Sequence, residues 1–280
     1  MEDARYRQLS RLVQFWHPEK MLSRLHPQLP RGVAAQIFGI DEELYGRILN
    51  EYRDQARQAA EELLADGEFA EQVARLPLGE EENVVGLGDS ITDDLQSWFA
   101  IFSHVLELTR PGHKIKLINA GISGETTSQI ISRFWSVVVE RPTWIICLAG
   151  TNDARRHGKQ PTKTLVSIEE TALNFQMLRN FARAQTSAQW LWMTPASVLE
   201  DQIRENPDFA YRQVSWVDED LEKVAQVIRD FGEPFVDLRK TFGVPPHPHW
   251  LLDDGLHPSL MGQKAILRAL VARWAALGSP

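Results

Sequence analysis

The pattern of apolar and polar residues changes at about residue 80. Before that point, apolar residues recur every three or four positions, as on one face of an α-helix, and no stretch reads clearly as a strand. The clearest stripe consists of Tyr45, Ile48, Tyr52, Ala56, Ala59 and Leu63. Asp41 stands before this stripe, where an N-cap is expected. The pattern predicts that residues 1–80 form a helical extension.

After residue 80, short apolar runs alternate with helical patterns. The runs are NVVGLG (83–88), KIKLINAG (114–121), TWIICLAG (143–150), QWLWMTP (189–195) and EPFVDLR (233–239). The helical patterns cover about 94–109, 126–138, 167–186, 215–231 and 259–276. Apolar strands that alternate with helices are typical of a parallel sheet covered on both faces. We therefore expect residues 81–280 to form an α/β domain around a parallel sheet of about five strands.

Composition narrows the choice of partners. The 280-residue chain has a formal net charge of −8, which argues against nucleic acid or an anionic membrane as its main partner. Its one cysteine, Cys147, excludes an intramolecular disulfide and is expected to be a core residue of its apolar strand. The N-terminal stretch is charged throughout, and no apolar run reaches 18 residues. We expect a cytoplasmic protein without a membrane span, and the pattern leaves its oligomeric state open.

Polar residues with a chemical use follow the predicted strands. In open α/β sheets, sites form beyond the carboxyl ends of the strands. The first strand leads to GDS, the second to NAGISGETT and the third to GTND, while LLDDGLHPSL follows the last strand. The candidates in these segments are Ser90, Gly124, Asn152, Asp254 and His257.

These residue types suit nucleophilic catalysis by serine. A serine hydroxyl needs a base to take its proton and donors to hold the oxyanion that forms. His257 can be the base, and Asp254, three residues earlier, can reach the imidazole and fix its tautomer. The side chain of Asn152 and the backbone N–H groups of Gly124 and Ser90 can be the oxyanion donors.

At this point the sequence resembles the SGNH/GDSL hydrolase family. The resemblance rests on four blocks in order: GDSIT, NAGISGETT, GTND and DGLHP. It covers about residues 82–275 and leaves the first 80 residues outside. It implies a flavodoxin-like three-layer α/β/α sandwich and hydrolysis of an ester or thioester through an acyl-serine. It also implies no metal and no organic cofactor.

The neighbouring carboxylates have simpler expected roles. Asp253 is a rival to Asp254 as the acid of the triad, although spacing and the resemblance favour Asp254. Asp89 is expected to bond to nearby backbone and shape the turn. Asp93 and Asp94 are expected to open the next helix and favour its dipole.

Residues near the blocks are candidates for binding the substrate. Trp98 and Trp250 flank active-site blocks and could be pocket walls. The loop after GTND carries four cations: Arg155, Arg156, Lys159 and Lys163. Because arginine binds carboxylate and phosphate in a bidentate manner, Arg155 and Arg156 suggest an ester with an anionic leaving group. The alternative is that this loop is a solvated surface whose charges only keep it in water.

The leading interpretation is an esterase for a small-molecule ester, such as a short-acyl or acetyl ester of a polar or sugar-like alcohol. Acyl transfer or thioester hydrolysis would use the same residues. A nucleotide-binding module would explain the glycines of GLGDSI and GISGETTS, but the first lacks a third glycine and the second lacks a P-loop lysine. A non-catalytic binding protein remains a further alternative.

Overall fold

The computed structural model describes residues 2–22, 29–158 and 162–278. Its helices are α1 (Glu2–Phe15), α2 (Pro18–Met21), α3 (Arg31–Ile37), α4 (Glu42–Leu64), α5 (Gly67–Ala74), α6 (Ser90–Asp93), α7 (Trp98–Thr109), α8 (Thr127–Arg133), α9 (Trp135–Val138), α10 (Ile168–Gln185), α11 (Glu200–Glu205), α12 (Pro207–Arg212), α13 (Asp218–Asp230), α14 (Leu238–Phe242) and α15 (Leu260–Leu277). Its strands are β1 (Asn83–Gly88), β2 (Lys116–Gly121), β3 (Trp144–Leu148), β4 (Arg156–His157), β5 (Gln189–Met193), β6 (Val214–Ser215) and β7 (Phe235–Val236). Within these ranges, no helix has both the length and the apolar character to cross a membrane.

Five parallel strands form the main sheet in the order β2-β1-β3-β5-β7. If only the five strands of this sheet are numbered in chain order, their spatial order is 2-1-3-4-5, which is the doubly wound order of flavodoxin-like folds. The chain reverses its direction of winding between β1 and β3, and ligands bind at such a switch point. The separate pair β4–β6 is antiparallel.

Alternate residues of the central strands enter two different apolar cores. Val84 and Ile146 belong to the core shared with α4, α5, α7 and α15. Val85, Ile145 and Cys147 belong to the core shared with α8, α10 and α13. Since successive side chains of a strand point to opposite faces, the sheet is covered on both sides. The predicted three-layer α/β/α fold is confirmed, and Cys147 is a core residue as expected.

The predicted N-terminal helices are present, and they pack on the rest of the chain. Asp41 caps α4 by accepting a 2.7 Å hydrogen bond from the backbone N–H of Leu44. The C-terminal half of the α4 stripe, including Ala59 and Leu63, enters the same core as α7 and α15. Its N-terminal half, including Tyr45, forms a smaller core with residues of α1 and α3. The stripe is therefore a packing surface along its whole length.

Two helices differ from the predicted ones. The helix predicted over 94–109 begins four residues later, as α7 at Trp98, because Ser97 caps it by accepting from the backbone N–H of Ala100 at 3.2 Å. The short helix α6 ends at Asp93, before the predicted range. The pattern over 126–138 divides at Phe134, which ends α8. The last strand is also shorter than predicted, at two residues.

Candidate active site

The parallel register brings three strand ends together. Gly88, the last residue of β1, is level with Gly121 of β2 and Leu148 of β3. Each strand then enters a loop at the same edge of the sheet. The predicted residues in these loops are Ser90, Gly124 and Asn152. They lie two to four residues past the aligned ends.

The exit from β1 needs a glycine and begins a helix at the serine. A Cβ on Gly88 would lie 2.2 Å from the carbonyl oxygen of Leu148, so no side chain fits there. Asp89 then caps α6 by accepting from the backbone N–H of Ile91 at 3.1 Å, as its expected role in shaping the turn requires. Ser90 is the first residue of α6 and stays partly exposed.

A hydrogen-bonded chain joins a serine, a histidine and an aspartate. The Oγ of Ser90 lies 3.0 Å from Nε2 of His257. The Nδ1 of His257 lies 2.8 Å from Oδ2 of Asp254, whose Oδ1 accepts the backbone N–H groups of Leu256 and His257, each at 2.9 Å. The rival Asp253 is 85% exposed and contacts Arg11 instead.

The charge states of these hydrogen-bonded residues are set by burial and by close partners. Burial opposes ionisation of Asp254, but His257 and then Arg11 outweigh it and hold the pKa of this carboxyl well below its usual range. Burial likewise opposes protonation of His257, but Asp254 outweighs it, so the pKa of the imidazole is raised. Burial raises the pKa of Asp89 to about 7 and that of Asp94 to about 6.

The loops after β2 and β3 hold one another. Gly124 has φ +84°, a conformation that favours glycine, and a Cβ there would meet open space. The buried Asn152 donates from Nδ2 to the carbonyl oxygen of Glu125 at 3.1 Å. Next to it, Asp153 accepts from the backbone N–H of Thr127 at 2.9 Å. These bonds fix the loop after β3 against the start of α8.

The first two helices also contact the segments that carry or adjoin the candidate residues, which the apolar pattern did not predict. The contacting side chains are Arg11, Gln14, Phe15, His17 and Lys20. The expectation that Asp93 and Asp94 open the next helix is wrong, because α7 begins at Trp98 and has no acidic residue in its first turn. Asp93 ends α6 and lies 2.7 Å from Nδ1 of His17, and Asp94 accepts from Nε2 of Gln14 at 2.9 Å. The spacing of four residues between Arg11 and Phe15 places them on one helix face, but nothing in the sequence pattern identifies Asp254 and His257 as their partners.

The two tryptophans lie in different settings. Trp98 is fully buried, and its indole N–H bonds to Oγ1 of Thr92 at 3.3 Å. It therefore offers no surface to a substrate. Trp250 is partly buried and packs edge-on against Phe242, with ring centroids 4.9 Å apart.

The predicted cations of the loop after β3 also separate. Arg155 is half-buried, and its Nε has no hydrogen-bond partner among the residues that the structure describes. Arg156 is paired with Asp220 of α13 at 2.7 Å, and both line a cavity of about 240 Å³ together with Lys163. Lys159 lies outside the described residues. Arg155 is thus the member of this group that lies nearest in sequence to Asn152 and has an unused donor.

Comparisons with known proteins agree with the fold and the blocks. A model described as the GDSL-like Lipase/Acylhydrolase family matches residues 87–265. The solved acetylxylan esterase Axe2 from Geobacillus stearothermophilus is 22% identical, with a TM-score of 0.54, over 70% of this chain and 95% of that one. A lipase/acylhydrolase from Enterococcus faecalis is 20% identical, with a TM-score of 0.54, over 70% of this chain and 96% of that one. Variants of Axe2 with a serine, an aspartate or a histidine replaced by alanine are described as catalytic mutants. No curated protein matches the chain.

Proposed function

The chain belongs to the GDSL-like lipase/acylhydrolase family and is a carboxylic ester hydrolase, and from that premise we propose that it works through an acyl-Ser90 intermediate. The observation that supports this proposal most directly is the series of contacts from Ser90 through His257 to Asp254, at 3.0 and 2.8 Å. These lengths let one proton pass between the hydroxyl and the imidazole while the carboxylate holds the ring.

In the first half of the proposed reaction, the Oγ of Ser90 attacks the ester carbonyl and its proton moves to Nε2 of His257. The ring must carry its other proton on Nδ1, where it donates to Asp254. The tetrahedral intermediate then collapses, the C–O bond to the alcohol breaks, and His257 returns the proton to the leaving oxygen. In the second half, water attacks the acyl-serine by the same route and releases the acid.

Three donors are proposed to hold the oxyanion. They are the backbone N–H groups of Ser90 and Gly124 and the side-chain amide of Asn152. An amide has two N–H donors, and Asn152 uses one on the carbonyl of Glu125, so the other remains for the substrate. The left-handed φ of Gly124 and the open space beside it let a substrate approach this backbone closely.

The surroundings of the triad favour a small acyl group. The side chain of His257 is only 18% exposed, and the ring of Phe15 lies 4.7 Å from it, centroid to centroid. A short acyl group, such as acetyl, fits such a crowded site better than a long chain. The acetyl ester for which the structural neighbour Axe2 is named belongs to this class.

We propose that the alcohol side carries negative charge or strongly polar groups. Burial is the main cause that lowers the pKa of Arg155, and the positive charge of Arg212 is the next. Burial also lowers the pKa of His157, and the charges of both arginines lower it further. Positive charge is therefore concentrated just past Asn152, and an anionic group would bind there. This substrate preference rests on Arg155, since Arg156 is held by Asp220.

Labelling with an organophosphonate ester tests the nucleophile. Purified protein should lose its activity on p-nitrophenyl acetate as one phosphonyl group attaches to Ser90. Ser90→Ala should be neither labelled nor active. Ser123→Ala is the matched control, because Ser123 lies in the neighbouring loop and bonds to Asp93 rather than to the imidazole. Undiminished labelling and turnover in Ser90→Ala would overturn the proposal.

A further inference from the structure

The N-terminal helices supply part of the environment of the triad, although they lie outside the matched residues 87–265. We call their contacting side chains the docking face: Arg11, Gln14, Phe15, His17 and Lys20. Each of its polar members bonds to at least one buried carboxylate, so the contact is specific rather than a loose surface association.

Arg11 makes the contact closest to the chemistry. Its Nη2 donates to Oδ2 of Asp254 at 2.6 Å, and its Nη1 donates to Oδ1 of Asp253 at 2.9 Å. The same Oδ2 accepts from Nδ1 of His257 at 2.8 Å. The carboxylate oxygen that orients the imidazole is therefore shared with a guanidinium 243 positions away in the chain.

The contact is backed by a second one on the same helix face. Phe15 lies one turn after Arg11 and covers the ring of His257 at 4.7 Å between centroids. Asp254 is almost fully buried, while Arg11 is 39% exposed. The guanidinium thus closes the outer side of the carboxylate, and the phenyl ring closes one side of the imidazole.

We propose that Arg11 is a positioning residue of the triad, which fixes the carboxylate of Asp254 and moderates the negative charge that His257 faces. The inference rests on the proposed function, because it assigns Arg11 a role in the use of His257 as a base. Arg11 itself touches no reacting atom.

The charges around His257 give the sign of the effect. Asp254 faces the ring from its own loop, and Asp94 and Asp89 face it from the ends of α6. Burial lowers the pKa of His257, the carboxylates of Asp254 and Asp94 raise it, and the positive charge of Arg11 lowers it. Since the base must be neutral to take a proton, Arg11 extends its working range to lower pH.

The test follows the rate of phosphonate labelling and kcat/KM for p-nitrophenyl acetate between pH 5 and pH 9. In Arg11→Gln the acid limb of both profiles should move up by about half a pH unit, the order expected for one nearby charge that is partly screened. The kcat on the plateau should also fall about tenfold, with a smaller change in KM, because the carboxylate loses a fixed partner.

Arg11→Lys and two matched controls separate charge from anchoring. Lysine keeps the charge without the planar fork, so it should restore the acid limb while leaving the plateau reduced. Asp253→Asn keeps an acceptor oxygen for Nη1 of Arg11 and removes only an exposed charge, and Arg5→Gln is an exposed change on the same helix, so both should leave the acid limb and the plateau unchanged.

An unmoved acid limb and plateau in a folded Arg11→Gln would overturn the proposal, even if its melting temperature fell. Should that variant not fold, an Arg11→Lys protein with a wild-type plateau would overturn the positioning role. Activity that survives in Ser90→Ala would instead refute the proposed function, so the two failures are distinct.

Discussion

Replacing Asp254 by asparagine removes one charge from the centre of the hydrogen-bonded chain without changing its shape. The carboxylate accepts four hydrogen bonds. Two come from the backbone N–H groups of Leu256 and His257, one from the imidazole and one from Arg11. An amide has one acceptor oxygen, so it cannot satisfy all four donors.

The resulting loss can be worked from this geometry. If the amide oxygen stays on the two backbone donors, its NH₂ faces both Nδ1 of His257 and the guanidinium of Arg11. To avoid donor facing donor, the imidazole must move its proton to Nε2, and it can then no longer accept from Ser90 at 3.0 Å. A wrong tautomer of this kind costs about 10⁴ in kcat, or about 5 kcal/mol in activation free energy.

Stability changes in a defined direction as well. The pKa of Asp254 is held low in the folded state, so its charge stabilises the fold above the unfolded pKa of about 4, and this contribution is lost as pH falls further. Asp254→Asn should therefore be less stable than wild type at pH 7, and the difference should shrink at pH 3. Urea unfolding at the two pH values measures this.

The assay is steady-state hydrolysis of p-nitrophenyl acetate, with circular dichroism to establish that the variant is folded. Asp253→Asn is the matched control, because this neighbour is 85% exposed and does not contact the imidazole. A folded Asp254→Asn with near-normal turnover would refute the reasoning. If Asp253→Asn were inactive at the same time, the role of the acid would pass to the neighbouring aspartate.

Three further outcomes are expected. Asn152→Ala should lower kcat by about 10²–10³ and change KM less, because the contact strengthens as charge develops; a raised KM with normal kcat would mean ground-state binding. Between pH 5 and pH 8, the free energy of unfolding of wild type should fall by about 2–3 kcal/mol more than that of Asp89→Asn, as measured by urea unfolding. The reason is that the raised pKa of the buried Asp89 makes the wild-type fold weaker as pH rises through about 7. Arg155→Ala should abolish a preference for an anionic over a matched neutral ester at low salt, while Arg156→Ala should keep it; equal kcat/KM values for the two esters in wild type would leave Arg155 as a surface residue.

The strand ends could be predicted because each strand is marked by a local apolar run, and the parallel sheet alone places the strand ends at one edge. Apolar runs marked β1, β2 and β3, and a parallel sheet places their carboxyl ends at one edge whatever the exact register. The helix over 94–109 could not be predicted correctly in the same way. Its residues are good helix formers, but Ser97 starts a new turn there, and Asp94 is used by a partner 80 positions earlier.

The surroundings of Ser90, His257 and Asp254 were harder to predict from the sequence, for a physical reason. Periodicity reports which face of a helix is apolar, whereas the docking face of α1 and α2 is largely polar and charged. A buried Gln14 or His17 looks like a solvent residue until its carboxylate partner is known. Trp98 shows the opposite error. Its position near the GDSIT block predicts a pocket wall, but its large side chain is fully buried in the core.

The distribution of these contacts gives the N-terminal helices a place in the chemistry. A helical segment that only protected the sheet would need apolar contacts, such as those that Ala59 and Leu63 of α4 make. The segment at α1 and α2 makes apolar contacts too, through Val13, but it also places charged groups on Asp93 and Asp254. Buried carboxylates left without these partners would cost several kcal/mol or take up protons. Arg11 both holds the segment in place and, after His257, helps to keep Asp254 ionised, so we expect a loss of docking to lower the activity as well.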